Sequence, residues 1–208
     1  MTTPLGAVEV VRGEGRGVSV TRRTRESDVL VKLDLDGSGT AAIETGIGFY
    51  DHLLASLAHH GLFDLTIRAT GDLEVDDHHT VEDVALVLGS AFAEALGNRA
   101  GIVRFGDASV PMDESVASVV IDVGGRPYAV VSLPFRGERA GALSLQLVEH
   151  AIEAFARTAG ATVHVTGTGR NDHHLAEAAF KALGRALRAA CEPDPRRRGV
   201  ASTKGSLG

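Results

Sequence analysis

Two short stretches decide how this chain is read: Asp77-His78-His79-Thr80-Val81-Glu82-Asp83 and Asp172-His173-His174-Leu175-Ala176-Glu177-Ala178. In both, a glutamate follows the first histidine by four residues and a glycine, Gly89 or Gly184, follows it by eleven. The agreement extends upstream, where Asp51-His52 opens one apolar-periodic stretch and Glu149-His150 opens its counterpart. The intervals from His52 to His78 and from His150 to His173 differ by three residues, a length that one loop absorbs. Gly71 and Gly167 read as a further match, each closing a short alternating segment, Leu65 to Ala69 and Thr162 to Thr166. Internal repetition fixes the architecture before any local structure is assigned. It predicts one domain over 1–208, built of repeated halves at about 8–98 and 99–192 and followed by a basic C-terminal tail over 193–208.

Each half reads as two strands, a helix, a strand and a helix. Val29, Val31, Leu33 and Leu35 alternate with Lys32, Asp34 and Asp36, the period-2 pattern of a half-buried strand, and Asp36-Gly37-Ser38-Gly39 ends it as a turn. Leu53, Leu54 and Leu57 give helical spacing over about 52–60, as Val81, Val84, Ala85, Leu88 and Phe92 do over about 79–96. In the second half, 115–123 and 126–133 read as a hairpin turning at Gly124-Gly125. Helices follow over about 143–158 and 174–190, and Pro193 and Pro195 stop the last one. The expected class is α+β, with internally duplicated halves that each pack a mostly antiparallel sheet against two helices.

Composition narrows the function classes. At 208 residues and 44% hydrophobic content the chain buries a core without covalent staples. Its single cysteine, Cys191, excludes an internal disulfide framework and a cysteine-rich metal site. No apolar run is long enough to span a bilayer, and Met1-Thr2-Thr3-Pro4 lacks the basic-then-apolar order of a secretory signal, so a cytoplasmic protein is expected, with no membrane partner. A net charge of −6 argues against nucleic acid as a partner. The exception is local: Arg196, Arg197, Arg198 and Lys204 crowd the tail. A solvated basic terminus accounts for such a run as readily as a binding role does.

On a helix, His78 and Glu82 stand at i and i+4, on one face, where they can share a cation. His79 is turned by about 100° and faces elsewhere, so it implies a neighbouring second ion. His173, His174 and Glu177 repeat the set. With His52 and His150 the ligands number six histidines and two glutamates, four for each of two metals. Imidazole and carboxylate without thiolate suit Mn, Fe, Ni or Zn. His59, His60 and His164 fall outside the repeat and read as ordinary polar residues, with His60 the nearest to a site.

Beyond these pairs, Thr45-Gly46-Ile47-Gly48-Phe49-Tyr50-Asp51-His52-Leu53-Leu54, His60-Gly61-Leu62-Phe63-Asp64, Gly71-Asp72, Arg104-Phe105-Gly106-Asp107, Pro111-Met112-Asp113-Glu114, Gln146-Leu147-Val148-Glu149-His150 and Ser202-Thr203-Lys204-Gly205 run in order along the chain. Together with both Asp-His-His stretches, they resemble the imidazoleglycerol-phosphate dehydratases from about Arg22 onward. Gly48, Ala201 and Asp172 depart from the family's usual residues without touching an expected ligand. The resemblance implies a hydro-lyase of histidine biosynthesis that converts D-erythro-imidazoleglycerol phosphate to imidazole acetol phosphate. It also implies two Mn2+ per active site and a large homo-oligomer, on the order of 24 subunits, with sites at subunit interfaces. Further, it assigns acid–base work to Glu26 and phosphate contacts to Arg104, Arg126, Lys181, Ser202 and Lys204. Asp113 and Glu114 are weaker candidates for orienting substrate or supporting the fold.

The chemistry agrees with that expectation. Dehydration across the glycerol chain breaks a C–H bond that no carbonyl acidifies, so the substrate's imidazole must serve as electron sink, and a dinuclear site would stabilise its imidazolate. A dinuclear metal phosphoesterase is the alternative, since such enzymes use Asp-His-His, but the separate aspartate motifs they need are missing from the sequence. A metal-storage assembly is a third reading, with no use for open coordination positions or a basic tail.

Overall fold

A computed structural model describes residues 8–207. Met1-Thr2-Thr3-Pro4, read above for a signal, lies outside the described residues. The first half runs β1 (Val8–Arg12), β2 (Gly17–Arg23), β3 (Ser27–Asp34), β4 (Ala41–Glu44), α1 (Gly48–Gly61), β5 (Asp64–Gly71) and α2 (His78–Leu96). The second runs β6 (Phe105–Met112), β7 (Ser115–Asp122), β8 (Tyr128–Ser132), the short pair β9 (Arg139–Ala140) and β10 (Leu143–Ser144), then α3 (Gln146–Ala159), β11 (Thr162–Thr168) and α4 (Asp172–Cys191). The mixed α+β class follows from these elements.

The sheets repeat the same wiring. One has the order β1-β2-β3-β5-β4 and the other β6-β7-β11-β8. All neighbours in them are antiparallel except the last in each, β4 with β5 and β8 with β11. Removing β1, an added edge strand, leaves two four-stranded sheets of one design. Period-2 alternation turns Val29, Val31 and Leu33 of β3 inward, and Ala117, Val119 and Ile121 of β7 likewise, onto a shared core beneath the helices. The counterpart helices α1 and α3 both have fourteen residues, and both end on a residue in the left-handed region, Leu62 or Gly160.

Four details differ from the sequence reading. More than the two expected strands precede the first helix of each half, β1 to β4 before α1 and β6 to β10 before α3, because short and edge strands carry little alternation. The segments 115–123 and 126–133 do not pair as a hairpin, because β11 lies between β7 and β8. The hairpin is β6 with β7, turning at Asp113-Glu114, where Asp113 takes φ +48°. Alternation reports a strand's faces and not its partner, which explains the error. The glycine match also shifts. Gly71 lies opposite Ser27. On β7 the partner of Ser115 is Gly169, since Val116 faces Thr168 and a Cβ on Gly169 would strike the Ser115 hydroxyl. Gly169, not Gly167, is therefore the counterpart of Gly71. Finally, α3 begins at Gln146, because Leu143 and Ser144 form β10.

Candidate metal centre

The four helices pair crosswise between the halves. Gly89 of α2 sits so close to α3 that a Cβ would lie 2.4 Å from the Phe155 carbonyl oxygen. Gly184 of α4 does the same against α1, 2.4 Å from the Leu57 carbonyl oxygen. The repeated glycine is thus the crossing point of each helix pair, where only a hydrogen fits. These crossings align the fifth residue of α1, His52, with the first turns of α4, and the fifth residue of α3, His150, with the first turn of α2.

Two clusters of three result, His52 with His173 and Glu177, and His78 with Glu82 and His150. Within each cluster one potential ligand atom per residue lies within 4.8 Å of the others. Glu177 Oε1 is 3.0 Å from His52 Nε2 and 2.8 Å from His173 Nε2. Glu82 Oε1 is 3.3 Å from His150 Nε2. That nitrogen is buried and makes no hydrogen bond. Two imidazoles and a carboxylate converging on one point, with a ring nitrogen otherwise unmatched, suit a divalent cation.

Counter-charges surround the carboxylates. Burial would raise the pKa of Glu177, but Lys181 Nζ at 2.7 Å and the His52 ring outweigh it and bring the carboxyl down to about 2. Glu82 is likewise lowered against its burial, chiefly by Arg157, whose guanidinium lies 2.9 Å away. Arg157 comes from α3 whereas Lys181 shares the helix of Glu177, so the repeat gave no signal for it. Phe49, another residue that spacing did not single out, stacks on the His173 ring with centroids 4.5 Å apart.

His79 and His174 stand apart from both clusters. His79 Nδ1 lies 3.0 Å from Asp72, and His174 Nδ1 lies 2.9 Å from Glu114. Glu26 is exposed in the turn between β2 and β3, where Thr24 Oγ1 accepts its backbone N–H. The neighbouring Ser27 hydroxyl donates to buried Asp83 of α2, which fixes that turn over the helix carrying His79. The pKa of His79 is raised mainly by its bond to Asp72, with the charge of Glu26 adding to the effect.

The basic residues gather less tightly. Lys181 is at the first cluster through Glu177. Arg104 makes a two-point pair with Asp122, at 2.7 and 2.8 Å, and donates a 2.5 Å hydrogen bond to the Ala201 carbonyl oxygen. Arg126 is exposed, 4.0 Å from the same Asp122. The tail is not a loose solvated end over its first part: Pro193 and Val200 bridge to Ile102 and Ala100, and Ala201 is buried. Ser202 and Lys204 follow directly, with the Lys204 N–H donated to the Ser202 hydroxyl oxygen. His60, two turns along α1 from His52, is within electrostatic reach of Lys181 and Glu177; burial is the main cause of its lowered pKa. His164 faces outward from β11.

Residues 45–187 match the family model described as imidazoleglycerol-phosphate dehydratase. The chain belongs to the imidazoleglycerol-phosphate dehydratase family. A relative of that name from Methanoculleus marisnigri is 56% identical over 192 residues, covering 92% of this chain and all of the relative. A chloroplastic dehydratase of Pisum sativum is 52% identical, across 93% of this chain and 70% of its own. Crystal structures of family members superpose on the fold. The Pyrococcus furiosus protein gives a TM-score of 0.78 at 35% identity, covering 90% of this chain and 99% of its own. The Staphylococcus aureus dehydratase gives 0.76 at 34%, covering 84% and 98%.

Proposed function

We propose that the chain dehydrates D-erythro-imidazoleglycerol phosphate to imidazole acetol phosphate in histidine biosynthesis, as one cytoplasmic catalytic domain of two repeated halves. The observation that carries this reading is the pair of His-His-Glu clusters at matching helix positions in a chain of this family. His52, His173 and Glu177 would hold one Mn2+, and His78, Glu82 and His150 a second. Neither His79 nor His174 reaches the cluster on its own chain, so each completes a site on a neighbouring copy, which makes a large homo-oligomer, on the order of 24 subunits, a condition of activity. When bound, the cations supply Lewis acidity to the substrate's imidazole ring, which stands in for the carbonyl that the reacting C–H bond lacks.

The chain's own groups supply the rest. Glu26, exposed and next to the ligand His79, takes and returns the protons of the glycerol carbons. Lys181, Arg126 and Lys204 hold the phosphate dianion, assisted by the Ser202 hydroxyl. Arg104, already paired with Asp122 and bonded to Ala201, seats the segment bearing Ser202 and Lys204 while adding positive charge. A phosphoesterase would need further aspartates at the clusters, and among the described residues each cluster has one glutamate only.

Glu26→Gln provides the test. It should keep two Mn2+ per chain and substrate affinity while kcat falls by roughly 10²–10⁴, the usual scale for a lost acid–base group. Product is followed as the ketone, with released phosphate measured alongside. Phosphate without ketone would favour the phosphoesterase, and one ion per saturated chain by elemental analysis would end the dinuclear reading.

A further inference from the structure

Placing one half on the other by sheet register exposes an asymmetry. Ser27 and Ser115 are counterparts, both buried and both opening the second of the four strands that repeat, β3 and β7, so the residues before them, Glu26 and Glu114, are counterparts too. The distance along the chain from His52 to Gly71 is nineteen residues, and that from His150 to Gly169 is also nineteen. From Gly71 to His78 it is seven, but from Gly169 to His173 only four. The whole three-residue difference between the halves therefore lies in the loop that leads into the ligand helix.

The two loops present their second histidines differently. In the second half the short loop brings His174 against Glu114, whose Oε2 lies 2.9 Å from Nδ1. The other carboxylate oxygen of Glu114 accepts the Asn171 N–H at 2.8 Å and the Ser115 hydroxyl at 2.9 Å. Glu114 is thereby fully committed to the N-terminal turn of α4. In the first half the longer loop begins with Asp72, and this carboxylate takes the equivalent place on His79 Nδ1 at 3.0 Å. Glu26 is left without a side-chain hydrogen bond among the described residues, although its charge reaches His79.

We infer that Asp72 and Glu114 are positioning residues that set His79 and His174 to donate through Nε2, and that the longer first-half loop, by supplying Asp72, releases Glu26 for proton transfer. A carboxylate that accepts the Nδ1–H hydrogen bond keeps the proton on Nδ1, fixes the tautomer and leaves the Nε2 lone pair for a cation beyond the chain's own clusters. One acidic position inherited twice thus serves twice, once as an anchor and once as an acid–base group. This rests on the dinuclear reading above.

The experiment is Mn2+ titration of chelator-stripped full-length protein by calorimetry, with turnover followed in parallel. Wild type should take up two ions; if it does not, the proposed function fails and not this inference. Asp72→Ala and Glu114→Ala should each weaken one ion by roughly 10–100-fold and spare the other, and the double variant should weaken both. Asp72→Asn and Glu114→Gln, which keep an acceptor at the ring, should recover most of the affinity. Glu26→Gln should bind both ions as wild type does. Turnover of Asp72→Ala should rise again as Mn2+ is increased, whereas that of Glu26→Gln should not. Should an alanine variant prove unfolded by circular dichroism, serine, too short to reach the ring, replaces it. Unchanged affinity for both ions in the single variants would overturn the inference, as would loss of the same ion in both or no recovery in the conservative pair.

Discussion

At the scale of single residues, polar partners decide more than exposure does. Asp64, half-buried at the start of β5, accepts the N–H groups of Ser38 and Thr40 at 2.8 and 2.9 Å and the Ser38 hydroxyl, and closes the turn that the sequence places at Asp36-Gly37-Ser38-Gly39. These bonds to Ser38 and Thr40 hold its carboxyl below the usual range. A carboxyl so lowered stabilises the fold above its unfolded value, near 3.9, and loses that contribution as pH falls through the folded one. Asp64→Ala should therefore cost roughly 1–2 kcal/mol at pH 7, allowing for partial exposure, and much less in acid; urea unfolding across pH 2–7 reads the difference. Lys204→Ala removes a charge proposed to face the substrate's phosphate dianion and should raise KM by about 10- to 150-fold with Mn2+ content unchanged. Near-wild-type kinetics would return the tail to a solvated terminus. The six residues of the two clusters were legible because chance does not place one carboxylate at one spacing twice, whereas His79 and His174 stand apart from them. Asp72 on His79, Glu114 on His174 and Arg157 on Glu82 were not legible in those pairings, because each is a contact between segments whose relation depends on the finished fold.

Helices and strands were legible to different degrees. Leu53, Leu54 and Leu57 marked α1, and Val29, Val31 and Leu33 marked β3, since one buried face imposes a period. Strand order escaped, as the displaced β7–β8 hairpin illustrates, because β8 pairs in parallel with β11 across a connection that contains α3, a long-range pairing that no local turn signals. The recurrence of Gly89 and Gly184 was visible, while its meaning emerged only with the crossings. Alanine at either site gains about 1 kcal/mol of helix propensity but must push two helix backbones apart, at a typical cost of 1–3 kcal/mol. Gly184→Ala should thus lower stability on balance and weaken Mn2+ binding, since the same crossing sets the distance from His52 to Glu177. A variant as stable as wild type by thermal unfolding, with unaltered metal affinity, would show that the helices separate freely.

For the molecule as a whole, the outer face of the second sheet is the conspicuous surface. Phe105, Val120 and Tyr128 are 57%, 58% and 65% exposed, and Val116 and Val130 lie on the same sheet. A patch of this kind, on a chain whose second histidines are proposed to complete a neighbour's site, is suited to a second copy. Val120→Lys should shift the particle toward smaller species in light scattering and lower specific activity together with size. Chelation should shift it in the same direction; a particle of unchanged mass after both treatments would mean that neither the sheet face nor the metals hold the assembly. Among the described residues no helix is long and apolar enough to cross a membrane.

The crosswise pairing of α1 with α4 and of α3 with α2 bears on ancestry. Each centre draws its lone histidine from one half and its histidine–glutamate pair from the other. Two identical copies of a single half, set face to face about a twofold axis, would already have contained both centres complete to this extent. The present chain is in that sense a dimer made covalent. Joining the copies cost them their equivalence: once tied, one could lengthen a loop while the other kept it short, which a symmetric pair encoded by a single gene could never do.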